Sequence, residues 1–152
     1  MRHLALVFAA VLALVPWWLN AFAAEPTSRP LAKLTVKVVD LRSTKGQLIF
    51  GVFDQSVGFP TKSEKSVNWQ VKRADASSVT FECELPPGVY GASVLHDENG
   101  NGDMDKNMMG IPQEGYGVTN NPKPKFRPAT FEESKFTLPP EGANLTISVQ
   151  YF

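Results

Sequence analysis

Apolar and polar residues alternate with a period of two along most of this chain. Leu34, Val36 and Val38 alternate with Thr35 and Lys37, the pattern of a strand with one buried face. Leu48, Phe50 and Val52 alternate with Ile49, Gly51 and Phe53, so that segment is apolar on both sides. Val67, Trp69 and Val71 alternate with Asn68, Gln70 and Lys72, which predicts a strand that packs Trp69 into the core. Val79, Phe81, Cys83 and Leu85 form a fourth run, and residues 89–96 form a fifth that is largely apolar on both sides. Leu145, Ile147, Val149 and Tyr151 alternate near the end, and Phe136 and Leu138 suggest a short extra strand. No window carries a helical period; 56–67 and 131–134 have room for one helical turn each. Ser43-Thr44-Lys45-Gly46 reads as a turn. Leu85-Pro86-Pro87-Gly88 suits a type II turn with Gly88 at positive φ. About seven short strands with turn signals between them predict an all-β fold, an immunoglobulin-like or prealbumin-like β-sandwich. Residues 97–128 follow neither period and form one long loop, a feature that is usually functional in a compact domain.

The beginning of the chain does not fit this pattern. Arg2 and His3 precede an almost continuous apolar stretch, broken by Pro16, and Ala21-Phe22-Ala23 supplies the small residues of a cleavage site. These are the three parts of a secretory signal, and the stretch is short for a membrane span of about 20 residues. The expected organisation is a signal peptide at 1–23, a linker at 24–30 and a β-sandwich domain at 31–152, exported to the periplasm or beyond, with no membrane attachment after cleavage. Lys and Arg together number 15, as do Asp and Glu. That balance, without a basic stripe, argues against a nucleic-acid partner. Cys83 is the one cysteine, so no internal disulfide can form; its apolar pattern-mates predict an inert buried thiol.

The long loop opens with the most specific chemistry in the sequence. Counting Asp97 as position 1, oxygen-bearing side chains fall at Asp97, Asn99, Asn101, Asp103 and Asp105, with Gly102 at position 6. This is the first half of a calcium-loop pattern, in which alternate side chains turn inward around one centre. Calcium is therefore the expected cofactor, held by those five residues. Position 12 is Met108 where a bidentate Glu belongs, and no helix flanks the loop, so an EF-hand is excluded. The competing reading is a purely structural loop, because Asn, Asp and Gly are also ordinary turn formers.

The runs Leu85-Pro86-Pro87-Gly88-Val89-Tyr90, His96 to Gly102, Gly110-Ile111-Pro112 and Glu114-Gly115-Tyr116-Gly117 resemble the bacterial exported family catalogued as domain of unknown function 2141. The resemblance covers nearly the whole predicted domain. It implies export and one small domain, and carries no biochemical activity with it. The Leu-Pro-Pro-Gly-x-Tyr run is also similar to that of prealbumin-like and collagen-adhesin sandwiches, and the Asp/Asn loop is similar to calcium loops of surface-adhesin repeats.

His96 is the sole histidine of residues 24–152. It has no zinc companions and no nucleophile signature beside it, so a structural role is expected. Glu98 and Glu114 would make a glycosidase pair only at a suitable separation. Tyr116, flanked by Gly115 and Gly117, is the best candidate for an exposed contact with a ligand, and Glu114 lies beside it. The leading expectation is a non-enzymatic, monomeric exported module with a calcium-binding loop and an unidentified protein or glycan partner. The alternative is a sugar- or peptide-binding protein whose Asp/Asn loop is only scaffold.

Overall fold

The computed structural model describes residues 30–124 and 127–152. The predicted signal, nearly all of the linker, and Phe126 lie outside the described residues. The strands are β1 (Ala32–Val39), β2 (Gln47–Phe53), β3 (Asn68–Arg73), β4 (Val79–Leu85), β5 (Gly88–Asp97), β6 (Gly115–Val118), β7 (Phe136–Leu138) and β8 (Ala143–Ser148). A 3-10 turn at Ser63–Lys65 and one turn of helix, α1 (Phe131–Ser134), occupy the two places where the sequence leaves room for them. The fold is all-β. The smaller sheet has the order β4-β1-β8, with β8 parallel to β1; the larger runs β3-β2-β5-β6, with β7 also paired to β5.

The two sheets share one core. Leu34, Val36 and Val38 of β1, Phe81 of β4 and Ile147 of β8 meet Leu48, Phe50 and Val52 of β2 and Ala92 and Val94 of β5. Phe50 and Phe81 stack across the two layers with centroids 4.6 Å apart. These are the apolar positions that the alternation selects, and burying each large side chain stabilises the fold by about 2 kcal/mol.

Three sequence expectations fail, each for a physical reason. Gly88 is not at positive φ; it opens β5 directly, and a side chain there would press on the Tyr90 ring at 3.2 Å. Residues 97–128 are not one structureless loop, since β6 adds an eighth strand within them. Trp69 is not in the core: it is 55% exposed, and Val71 is 40% exposed. The period of β3 is as predicted, but its apolar side faces outward. Its inward side carries Gln70 and Lys72, which reach the neighbouring sheet. Gln70 Nε2 donates to the Glu82 carbonyl at 2.9 Å, and Lys72 Nζ donates to the Thr80 carbonyl at 2.7 Å. β3 sits at the rim of the sandwich, over the edge of β4 rather than over its face, and polar side chains close that rim.

Candidate functional site

β2 and β5 bring Gln47 and Asp97 together as cross-strand partners, and the loop folds around that pair. The buried carboxylate of Asp97 accepts four hydrogen bonds. Its Oδ1 takes the N–H of Gly100 at 2.7 Å and of Asn101 at 3.1 Å; its Oδ2 takes the N–H of Gly102 at 2.9 Å and Gln47 Nε2 at 2.8 Å. Burial pushes this carboxyl up, but the bonds from Gln47 and the three backbone N–H groups outweigh it, and the net displacement is downward. Gly102 sits at φ 86°, a left-handed conformation that costs a side chain about 1 kcal/mol or more.

The remaining oxygens are engaged in the same manner. Asn99 Oδ1 accepts from Asn101 N and Asn101 Oδ1 from Asp103 N, both at 2.9 Å. The amide nitrogens of Asn99 and Asn101 donate to Asp105, at 2.5 and 3.1 Å. Glu114 turns inward and is almost fully buried, its Oε1 accepting from Glu98 N at 2.9 Å and its Oε2 from Asp105 N at 3.2 Å. It holds the two ends of the loop together, with both carboxylate oxygens turned to backbone N–H groups of the chain. Glu98 is occupied as well: its carboxylate pairs with Arg42 and accepts from Ser43 Oγ at 2.6 Å, and Arg42 holds it below the ordinary range. Glu98 and Glu114 therefore face hydrogen-bond donors of their own chain rather than a shared cleft.

Calcium needs six to eight oxygens around one point. Asp97, a carboxylate with about four lone-pair positions, has spent them all on N–H donors. Asp103 is the one member of the predicted five whose side-chain oxygens accept no hydrogen bond from the described residues. Among those residues, no group of three or more His, Cys, Asp and Glu side chains stands in a metal-holding arrangement. As folded, the loop is closed by its own amides.

His96 is fully buried and bonds away from the loop. Its Nε2 lies 2.9 Å from the Lys45 carbonyl, so Nε2 carries the proton and Nδ1 accepts from the Tyr151 hydroxyl at 2.6 Å. That hydroxyl in turn accepts the Arg42 N–H at 3.2 Å. Both ring nitrogens of His96 are thus engaged by groups of the chain itself.

The outward face of the larger sheet is the part of the site that sequence reasoning missed. Strand register places Val71, Ile49, Leu95 and Tyr116 in one row across β3, β2, β5 and β6. At strand spacings near 4.8 Å the row spans about 15 Å. Trp69 stands one row away, opposite Gly51, and Phe152 stacks on Tyr116 at 5.6 Å. Farther up this face the chain covers itself: Phe53, Phe59 and Phe131 pack edge to face, and Ser93 Oγ donates to the Pro60 carbonyl at 2.8 Å. The lower row is only partly covered: Val71 is exposed, and Ile49, Leu95 and Tyr116 are half-buried. Its signal in the sequence is that β2 and β5 are apolar on both sides, when one side would suffice for a single core.

Gly115 and Gly117 do not serve to display Tyr116. A Cβ at Gly115 would fall 2.3 Å from the Tyr151 ring, and one at Gly117 would fall 2.5 Å from Ile147. The glycines let β6 lie against the end of the chain, and Tyr116 is consequently turned to the outer face, half-buried.

Residues 36–148 match the model of the domain of unknown function 2141 family, described as an uncharacterized protein conserved in bacteria, and the chain belongs to that family. No curated protein and no solved structure matches it.

Proposed function

We propose that this chain is an exported, non-enzymatic recognition module that binds a sugar or peptide ligand on the outer face of its larger sheet. The observation that supports this reading is the partly exposed cross-strand row from Val71 to Tyr116, flanked by the exposed Trp69. Exposed aromatic and aliphatic side chains on a rigid sheet provide contact area at small conformational cost. In this reading residues 97–105 are a brace, and Glu114 is part of it. Of the three tryptophans, two lie in the predicted signal, at Trp17 and Trp18. The processed protein would carry Trp69 alone, so its fluorescence reports directly on the face. Titration with glycan and peptide panels should quench or blue-shift that emission. Tyr116→Ala should weaken the same ligand at least tenfold while leaving the melting point near wild type. Ligands that bind without altering Trp69 emission and without sensitivity to Tyr116 would overturn the reading.

Calcium is the second reading, favoured by the gathering of Asn99, Asn101 and Asp105 within hydrogen-bond reach of one another and by the free carboxylate of Asp103. The two readings part in a thermal melt. The brace predicts superimposable curves in EDTA and in calcium up to roughly 10 mM, above the weak extracellular range. A calcium-dependent rise that disappears in an Asp103→Ala, Asp105→Ala double variant would establish the ion.

A further inference from the structure

We infer that two copies of this chain pair through the free edge of β3, forming a two-fold symmetric dimer in which the larger sheets join into one. Three other sheet edges are covered by the protein itself. Gln70 and Lys72 cap the carbonyls of β4. Asn121 caps β8, donating to the Thr146 carbonyl at 3.0 Å and accepting Ser148 N at 2.8 Å. The backbones of Tyr116 and Gln150 exchange bonds of 3.0 and 2.8 Å along β6. β3 has no such cover among the described residues. Ala74 N bonds to the Gly46 carbonyl, which sets the phase of the β2–β3 ladder: alternate residues, including Gln70 and Lys72, point their backbone groups at β2. Those of Trp69, Val71 and Arg73 therefore point outward, and β3 pairs with no strand other than β2.

An exposed edge of this kind is a template for another strand, and a second copy fits it in register. Antiparallel pairing centred on Val71 sets Val71 against its own symmetry mate and Trp69 against Arg73 of the second copy. Each N–H and C=O of these three residues gains a partner. All three side chains lie on the outer face, so each indole meets a guanidinium, a cation–π pair. Arg73 belongs to none of the ion pairs described for the chain and is available for that contact. On the inner face Gln70 meets Lys72 of the second copy, so no like charges are directly opposed. The apolar row then runs through the axis, from Tyr116 of one copy to Tyr116 of the other. Such an isologous contact closes at two.

Sedimentation equilibrium of the purified protein over a concentration series should give a mass rising to twice the monomer's. Val71→Lys, which opposes two ammonium groups on the axis, should hold the mass at that of the monomer with an unchanged circular dichroism spectrum. A Val71→Cys, Cys83→Ala variant should cross-link to a disulfide dimer under oxidised glutathione. Hydrogen-bonded antiparallel pairs have Cα atoms about 5.5 Å apart, within the disulfide range. A Val89→Cys, Cys83→Ala control, exposed but off the edge, should remain uncross-linked. A wild-type mass that stays monomeric to roughly 1 mM, at the weak limit of useful affinity, would overturn the inference. So would a dimer that Val71→Lys leaves intact, or equal cross-linking at residues 71 and 89.

Discussion

The Asp97 carboxylate satisfies three backbone N–H groups of a loop that has no ladder to satisfy them. A buried N–H without a partner costs about 1–3 kcal/mol. Asp97→Asn removes the charge and turns one acceptor into a donor facing other donors, so it should destabilise the fold by about 3 kcal/mol, read as a lowered urea midpoint. The sign of the pH effect follows from the downward displacement of this carboxyl. Its contribution is complete above the ordinary aspartate value of 3.8 and is lost as pH falls through the lower folded value. Wild type should therefore lose stability in that acid window, and the difference between wild type and Asp97→Asn should narrow there. A difference that is constant from pH 7 to pH 2 would remove Asp97 as the source. The same hydrogen bonds support the proposed brace, and the melt in calcium tests it against the ion. Alternating Asp and Asn residues suit a cation when their oxygens converge, and suit a brace when those oxygens accept local amides. Spacing alone is common to both.

At the scale of elements, β3 shows what alternation conveys and what it leaves open. The period identified β3 as a strand and fixed which residues share a face. It did not decide which face is inside, and an apolar side is ordinarily assigned to the core. Here the larger sheet overhangs the smaller one, so the inner side of β3 meets the polar edge of β4, and Gln70 and Lys72 are the side chains suited to that place. The strands β1, β2, β4, β5 and β8 were legible because each carries a long run against a full opposing layer. β6 was not, since Gly-Tyr-Gly-Val is too short and too glycine-rich to show a period, and its glycines answer to a neighbour distant in sequence. The outward placement of Trp69 has a direct consequence. Trp69→Ser should change stability by no more than about 0.5 kcal/mol at submicromolar protein, where association contributes nothing. Phe81→Ala, at a fully buried core position, should cost about 3–5 kcal/mol. Comparable losses in the two denaturation curves would return Trp69 to the core.

Across the whole molecule, the last residues add backbone and side-chain ties between two sheets that already share a core. β8 belongs to the smaller sheet, yet the chain beyond it crosses to the larger one. Val149 N still bonds to the Val39 carbonyl at 3.1 Å, while Gln150 already exchanges bonds with Tyr116 of β6. Tyr151 then places its hydroxyl on buried His96 and its ring beneath the Arg42 guanidinium, 4.5 Å from the centroid. Arg42 pairs with Glu98 and donates to the Gln113 carbonyl at 2.8 Å, so the end of the chain is tied to both flanks of the loop that Asp97 organises. No disulfide performs this task, because Cys83 is alone and its thiol is pushed up to about 11 by burial. Deleting residues 149–152 should therefore act at a distance. The truncated protein should keep slow amide exchange in β1 and β4, which pair along their full lengths. It should lose protection in β6 and throughout 97–114, because His96 Nδ1, the edge of β6 and Arg42 all lose partners together. Tyr151→Phe separates the hydroxyl from the ring, leaving the stack and removing the bond to His96; it should cost about 1–3 kcal/mol and leave β6 protected. Exchange that accelerates uniformly over both sheets in the truncated protein would mean that the tail supports the shared core as a whole rather than β6 and residues 97–114 in particular.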